Sequence, residues 1–284
     1  MKKIFVTDKY NGKKLSKFIL DTYPYLSYNT FNKALRQKDI KIDGNRVNKD
    51  CNIFSGNEII IYIVDELLFP SIDLDIVYED DNILIINKTD NIEITGENSL
   101  TSIVHKKYSN CEFLPMPCHR LDRNTTGLIL FAKNEEALSI LLEKFKNHEI
   151  RKFYLALVYG IPKVKNAKLE AYLFKDNKKS TVYISDNFKT GYQKIITSYS
   201  VLKEYNNNSA LLEVEIETGK THQIRAHLAH IGYPIIGDGK YGINSVNKQF
   251  GFKYQQLHSY KLLFDFKSDS GILNYINNKC FIKK

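Results

Sequence analysis

Cys118-His119-Arg120-Leu121-Asp122-Arg123-Asn124-Thr125-Thr126-Gly127-Leu128-Ile129-Leu130-Phe131-Ala132-Lys133 changes character once along its length. A polar cluster holding one carboxylate gives way to an apolar run that predicts a buried strand over Gly127 to Ala132. Asp122 therefore stands on the entry loop of a packed element, rigidly held yet able to face a cleft. That placing suits a nucleophile or a general base. Arg120 and Arg123 flank it, and their charge would keep the carboxylate ionised and attract phosphate. The same residues also allow a plainer reading, in which Asp122 caps the Asn124-Thr125-Thr126 turn and the arginines form surface pairs.

Further strands are expected at Ile83 to Ile86, Phe153 to Val158, Ala210 to Ile216 and Leu262 to Phe266. Asn134, followed by Glu135 and Glu136, reads as a helix cap with acid in the first turn. Leu138, Leu141, Leu142 and Phe145 then supply the apolar face. Strands outnumber helices without a strict strand-helix-strand rhythm. The predicted class is α+β, a mixed and largely antiparallel sheet flanked by helices. In Arg151 to Gly160, alternation puts Phe153, Leu155 and Leu157 on one face. Tyr154 falls with Ala156 and Val158 on the less crowded one, as a base-stacking residue or as ordinary sheet packing. Glu217 to Asp238 predicts a helix starting at Gly219 or Thr221 and stopping at Gly232-Pro234, with His222 and Arg225 one turn apart on one side. Its three histidines lack the spacing of a metal site, and none is expected.

Residues 1–65 read as a small basic α/β module. Leu15, Phe18, Ile19 and Tyr23 recur at helical spacing until Pro24, Thr30 can cap a second helix carrying Phe31 and Leu35, and Asp43-Gly44 signals a hairpin. Residues 66–74, with Pro70, read as a linker, and residues 75–284 as the larger domain. The chain of 284 residues carries 41 Lys plus Arg against 32 Asp plus Glu, a net charge of +9 that favours polyanionic partners. Cys51, Cys111, Cys118 and Cys280 are scattered, which fits free thiols in a reducing cytoplasm better than zinc or disulfides. No apolar run is long enough for a bilayer, so neither a membrane location nor a membrane partner is expected.

Two resemblances sharpen this. Leu15, Ala34 to Gly44, Val47-Asn48 and Gly56-Asn57-Glu58 resemble the alpha-L type RNA-binding domain. His119-Arg120-Leu121-Asp122-Arg123-Asn124-Thr125-Thr126-Gly127 resembles the catalytic signature H-R-L-D-x-x-T-S-G of the RluA-like pseudouridine synthases. The strand from Lys152 to Gly160, the run Thr218-Gly219-Lys220-Thr221-His222-Gln223-Ile224-Arg225, Glu79 to Lys88 and Leu257-His258-Ser259 extend the likeness over Ile76 to Phe264. The chain departs from the family pattern at Thr126 (usually serine), Thr89 (usually proline), Asn91 to Gly96 (no histidine-proline) and Tyr233 (commonly histidine).

The resemblance implies an isomerase that breaks the ribose bond to N1 of a uracil, turns the base and rejoins ribose to C5. It needs no cofactor. It implies Asp122 as the catalytic carboxylate, Arg225 as its ion-pair partner, and Tyr154 packed on the uracil or taking the C5 proton. His119, Arg120, Thr125, Lys152, His222 and Gln223 are implied at the substrate, with Arg120 filling the gap left by the extruded nucleotide. The expected partner is RNA, large-subunit ribosomal RNA before tRNA and not DNA, bound by a monomer in the cytoplasm. A binding-only protein on the same fold and a glycosidic hydrolase with paired carboxylates are the other classes left open.

Overall fold

Glycine at position 127 has φ +109°, and a Cβ built there would sit 2.2 Å from the carbonyl oxygen of Ser259. Two strands pass so closely at this point that only glycine fits. The computed structural model describes residues 1–23, 26–68 and 73–283, apart from the side chain of Glu66. The expected stop at Pro24 and the Pro70 centre of the expected linker lie outside those residues. The chain divides into two compact units, Met1–Asp73 and Leu74–Lys284.

In the first unit, β1 (Lys2–Phe5), α1 (Leu15–Thr22), α2 (Tyr28–Arg36), β2 (Ile40–Ile42), β3 (Asn45–Val47), β4 (Glu58–Ile61) and a one-turn α3 (Asp65–Leu68) follow in order. The strands form an antiparallel sheet in the order β1-β4-β2-β3. Leu15, Phe18, Ile19, Phe31 and Leu35 from the helices pack on Ile40, Ile59 and Ile61 from the strands. Asp43 (φ 47°) and Gly44 (φ 80°) make the expected hairpin turn, which needs positive φ at both positions. The second helix is capped one turn earlier than expected. Ser27 accepts the N–H of Thr30 at 3.0 Å, so Thr30 is inside the first turn rather than at its cap.

The second unit contains β5 (Ile76–Glu79), β6 (Ile83–Lys88), α4 (Leu100–Lys107), β7 (Met116–Pro117), β8 (Thr126–Ala132), α5 (Glu135–Lys146) and β9 (Ile150–Tyr159). There follow β10 (Asn166–Asp176), β11 (Thr181–Ser185), β12 (Gln193–Tyr205), β13 (Ser209–Ile216), α6 (Gln223–His230), α7 (Asn244–Phe250), β14 (Leu257–Phe264) and β15 (Cys280–Ile282). One long sheet runs β11-β10-β12-β13-β9-β14-β8-β6-β5, with β15 joined to β14 and β7 to β8. Its pairings are antiparallel except between β14 and β8, where Ser259 lies opposite Gly127. The fold is thus α+β with a mixed, largely antiparallel sheet.

Asn134 caps α5 by accepting the N–H of Ala137 at 2.8 Å. That helix buries Ala137 and Leu141 against β8, whereas Leu142 stays exposed. The inward position one turn along is taken by Lys144, buried and paired with Glu149 at 2.9 Å. Helix α6 packs on the other limb of the sheet, where Ala226 meets Ala171, Leu173, Val182 and Ile195. The late strand begins at Leu257 and ends at Phe264, earlier at both ends than expected. All four cysteines are free thiols, and no helix among the described residues is long and apolar enough to cross a membrane.

Gly127→Ala should cost more than about 3 kcal/mol, since strain at φ +109° adds to a backbone clash that no rotamer relieves. Urea unfolding measures this, and a midpoint equal to that of the unaltered chain would mean β8 and β14 can separate.

Candidate active site

The loop entering β8 turns on its backbone. Thr125 donates its N–H to the carbonyl of Asp122 at 3.0 Å, which leaves the Asp122 side chain free of the turn. Asp122 Oδ2 instead accepts from Arg225 Nη1 at 2.8 Å. Of the two readings left open for Asp122, the geometry takes the one in which its carboxylate faces a cleft. Arg225 is only 7% exposed, and its remaining fork grips Asp238 through Nε at 2.7 Å and Nη2 at 2.9 Å. Asp238 is fully buried and also accepts the N–H groups of Lys240 (2.8 Å) and Tyr241 (3.1 Å). Burial alone would raise the pKa of Asp238. Arg225 and those two N–H groups outweigh it and hold the carboxyl below its ordinary range. Burial works against the charge on Arg225 too, yet Asp238 and then Asp122 raise its pKa above the ordinary value. One guanidinium thus links a locked carboxylate to an accessible one.

The sequence builds both halves of this link locally. Gly237 (φ +82°) turns the chain where a Cβ would meet the carbonyl oxygen of Tyr254 at 2.1 Å, and Asp238 follows it into the interior. Helix α6 starts later than expected. Its cap is His222 in the left-handed region (φ 53°), while Gly219 and Thr221 belong to the approach loop. Gln223 explains that start. Its side-chain oxygen accepts from Thr218 Oγ1 and the N–H of Lys220, and its amide donates to the Ile196 carbonyl and Thr197 Oγ1. With all these bonds made inside the protein, Gln223 fixes the loop and leaves its amide no free arm.

His222 Nδ1 lies 2.9 Å from the Tyr241 hydroxyl, which already accepts the N–H of Val182. With Tyr241 donating to Nδ1 the imidazole proton sits on Nε2, 3.9 Å from Asp122 Oδ2. Burial lowers the pKa of His222 more than Asp122 raises it, so the ring is neutral near pH 7. The Arg225 guanidinium also lies over Tyr241, 5.3 Å from the ring centroid.

Tyr154 on β9 is 4% exposed. Contrary to expectation, its face of the strand is the more crowded one, shared with the fully buried Ala156 and Val158. Burial and then the charge of Asp122 raise its pKa, so the phenol stays protonated. Thr125 is buried, with Gln255 donating to its hydroxyl at 3.3 Å. His119 accepts the N–H of Leu130 on Nε2 at 3.1 Å, and burial pushes its pKa down to about 3. Its ring is therefore neutral and held against Phe145. Lys152 also lies over that phenyl ring, 4.9 Å from its centroid, and burial lowers its pKa to about 8. Arg120 stays exposed.

These groups converge because β13, β9, β14 and β8 are neighbours at the centre of the sheet. Ile216, Tyr154, Leu257 and Asp122 from those strands and their loops line one cavity of about 200 Å³, closed by the loop before α6. That volume is below the roughly 300–1,000 Å³ of drug-sized sites and suits a single ring. A second, more polar cavity of about 260 Å³ shares Arg120, Asp122, His222 and Arg225 and adds Arg123, Asn124 and Lys240. All nine residues singled out in the sequence line the first cavity. Asp238 and Tyr241 were not among them. Glycines at 237, 239 and 242 around an Asp were the signal available, marking a backbone folded tightly about a carboxylate.

The sheet thus sets a carboxylate paired with an arginine in the wall of a cavity the size of a single ring. Residues 82–230 match the family model described as RNA pseudouridylate synthase. The chain is 31% identical to ribosomal large subunit pseudouridine synthase C of Rickettsia bellii, over 90% of this chain and 91% of that protein. It is 32% identical to an uncharacterized RNA pseudouridine synthase of Mycoplasma capricolum, over 100% of this chain and 97% of that one. Human RNA pseudouridylate synthase domain containing 1 shares the fold, with TM-score 0.59 and 24% identity over 70% of this chain and 81% of that chain. The chain belongs to the RNA pseudouridylate synthase family, as an RluA-like member, and is an RNA pseudouridine synthase.

Lys152 gives the cavity a pH signature. An unfolded lysine titrates near 10.4, so below pH 8 the native state holds a charged, desolvated ammonium. Between about 8 and that value it gains stability relative to the unfolded chain as pH rises. The stability difference between Lys152→Met and the unaltered chain should therefore narrow between pH 7 and pH 9.5 in urea unfolding. A pH-independent difference would show that the ammonium is solvated.

Proposed function

We propose that this synthase isomerises uridine in large-subunit ribosomal RNA, with Asp122 as the catalytic carboxylate. The observation that carries the catalytic assignment is the Asp122–Arg225–Asp238 link at the mouth of a cavity walled by Tyr154. An aspartate ionises near pH 3.9 and needs no help to be charged at neutral pH. What the reaction needs is a carboxylate aimed at the extruded nucleotide, and Arg225 supplies that aim with one N–H while Asp238 fixes its other two.

Tyr154 serves as the surface on which the uracil packs, where stacking contributes roughly 1–3 kcal/mol. Its raised pKa favours that role over removal of the C5 proton, because a protonated phenol is a poor base. Asp122 attacks the uridine and is released again by the end of the turnover: the bond from ribose to N1 breaks, the uracil turns in the cavity, ribose rejoins it at C5, and the proton lost from C5 is balanced by one gained at N1. His119 and Lys152 border the space in which the base turns, and Thr125 and Gln223 hold the two loops that form its walls. Arg120, exposed between the two cavities, occupies the place vacated in the RNA when the nucleotide leaves its stack. His222 presents Nε2 to the same carboxylate.

The large-subunit assignment rests on relatives named for that RNA, and on the first unit, which we read as an alpha-L type RNA-binding domain. Lys33 and Arg36 lie in the last turn of α2, and Lys41 and Arg46 both lie over the Tyr62 ring. Such cations contribute affinity through phosphates, while the cavity selects an unpaired uridine.

Large-subunit rRNA labelled with tritium at C5 of uridine tests both parts. The unaltered enzyme should release tritium, and Asp122→Asn should release none while still binding the RNA. Turnover by Asp122→Asn would overturn the catalytic assignment; release from tRNA alone would overturn the substrate. Separately, Lys33→Ala combined with Arg36→Ala should weaken RNA binding and flatten its salt dependence by about 0.7 for each phosphate that is no longer neutralised. An unchanged slope would remove these two residues from the RNA surface.

A further inference from the structure

A third cavity of about 260 Å³ lies beside the uracil cavity and shares Lys220 and Thr221 with it. Its remaining wall comes from Leu173, Phe174 and Lys175 on β10, from Gly191 just before β12 and from Gln193 at its start. We propose that it is a second nucleotide subsite, which takes a base next to the target uridine in the same RNA strand. The inference rests on the reading that the Asp122 cavity receives that uridine.

Three features carry it. Phe174 is an exposed aromatic at 38%, on a strand whose inward neighbour Leu173 is in the core. Its ring is held in place by stacking on Tyr192, with centroids 5.4 Å apart and planes 26° apart. A ring held by one aromatic neighbour and still exposed to solvent is a platform for a base, and stacking of this kind tolerates any base. Gly191 (φ +84°) passes beside that ring, where an added Cβ would touch its edge at 3.9 Å, so the absence of a side chain there keeps that edge uncovered by residue 191.

The second feature is charge. Lys175 and Lys220 stand on either side of the cavity, and among the described residues neither forms an ion pair with a carboxylate. The nearby β10 and β12 lysines at 168 and 194 are by contrast engaged with Glu217 and Glu170. Two unengaged ammonium groups flanking an aromatic platform fit a nucleotide, the phosphate on the lysines and the base on the ring. An apolar peptide side chain would leave both charges without a partner.

The third is continuity. Lys220 and Thr221 belong to the loop that Gln223 fixes ahead of α6, and one side of that loop faces the uracil cavity while the other faces this one. A strand that delivers one nucleotide to Asp122 passes over this loop, so its neighbour reaches Phe174 without a break in the chain. The Gln193 side chain, exposed at the cavity rim, adds a donor and an acceptor that give some preference among bases.

The test uses the full chain and the C5-tritiated large-subunit rRNA, with RNA affinity measured by filter binding over a range of salt. The unaltered enzyme must first release tritium; if it does not, the reading of the Asp122 cavity fails before the subsite is reached. Given release, Phe174→Ala should weaken RNA binding about tenfold and raise KM with little change in kcat and in salt slope. Phe174→Tyr should restore both. Lys175→Ala, at an exposed position that folding does not depend on, should lower the salt slope by about 0.7. Binding and KM unchanged in both Phe174→Ala and Lys175→Ala would overturn the proposal, as would a loss in Phe174→Ala that tyrosine does not restore.

Discussion

The bridge from Asp238 through Arg225 to Asp122 is the constraint on which the rest of the site depends. A guanidinium that is 7% exposed is costly to bury unless its donors are matched, and three of them are matched by two carboxylates. Asp238 makes the larger share, with two bonds to the fork and two more from backbone N–H groups. Arg225 therefore has one orientation, and Asp122 inherits it. Removing Asp238 would leave Asp122 as the one carboxylate against a buried guanidinium, with two of its donors unmatched in the interior.

The sheet supplies the positions that this bridge connects. Asp122 precedes β8, Tyr154 is on β9, and β14 runs between them, parallel to one and antiparallel to the other. That parallel pairing is what brings a loop and a strand distant in sequence to the two sides of one cavity. It holds only because residue 127 has no side chain. The limb formed by β10, β11 and β12 carries α6, and through α6 it carries Arg225. Fold and chemistry meet in two short loops, one turning on Asp122 and the other fixed by Gln223.

Much of this is legible in the chain. The central strands, the cap at Asn134, the hairpin at Asp43-Gly44 and the residues facing the cavity follow from apolar runs, turn chemistry and motif order. Strands β10 to β12 do not announce themselves. Ala167, Leu169, Ala171 and Leu173 do alternate with Lys168 and Glu170 along β10, but these strands lack the long apolar run that marks β6 and β8. Helix α6 begins later than its Gly-x-Thr approach implies, because a side chain outside local periodicity, Gln223, decides where the turn closes. Asp238 escapes a local reading for a similar reason. Its partner is thirteen residues away in sequence, and only the folded chain brings the two together. Tyr154 falls on the emptier face of β9 when large residues are counted on each side, whereas burial depends on what packs there.

The most direct test of the Arg225 bridge is the rate of tritium release by Asp238→Asn from C5-tritiated large-subunit rRNA, in protein whose circular dichroism matches the unaltered chain. Asparagine keeps the shape of Asp238 but sets an amide against the guanidinium, so Arg225 loses its fixed orientation. If Asp122 is aimed through Arg225, kcat should fall by about 10²-fold or more while KM stays within a few-fold, the scale expected when a reacting group is misplaced. An unchanged kcat would contradict the account, because it would mean that Asp122 finds its working position without the bridge.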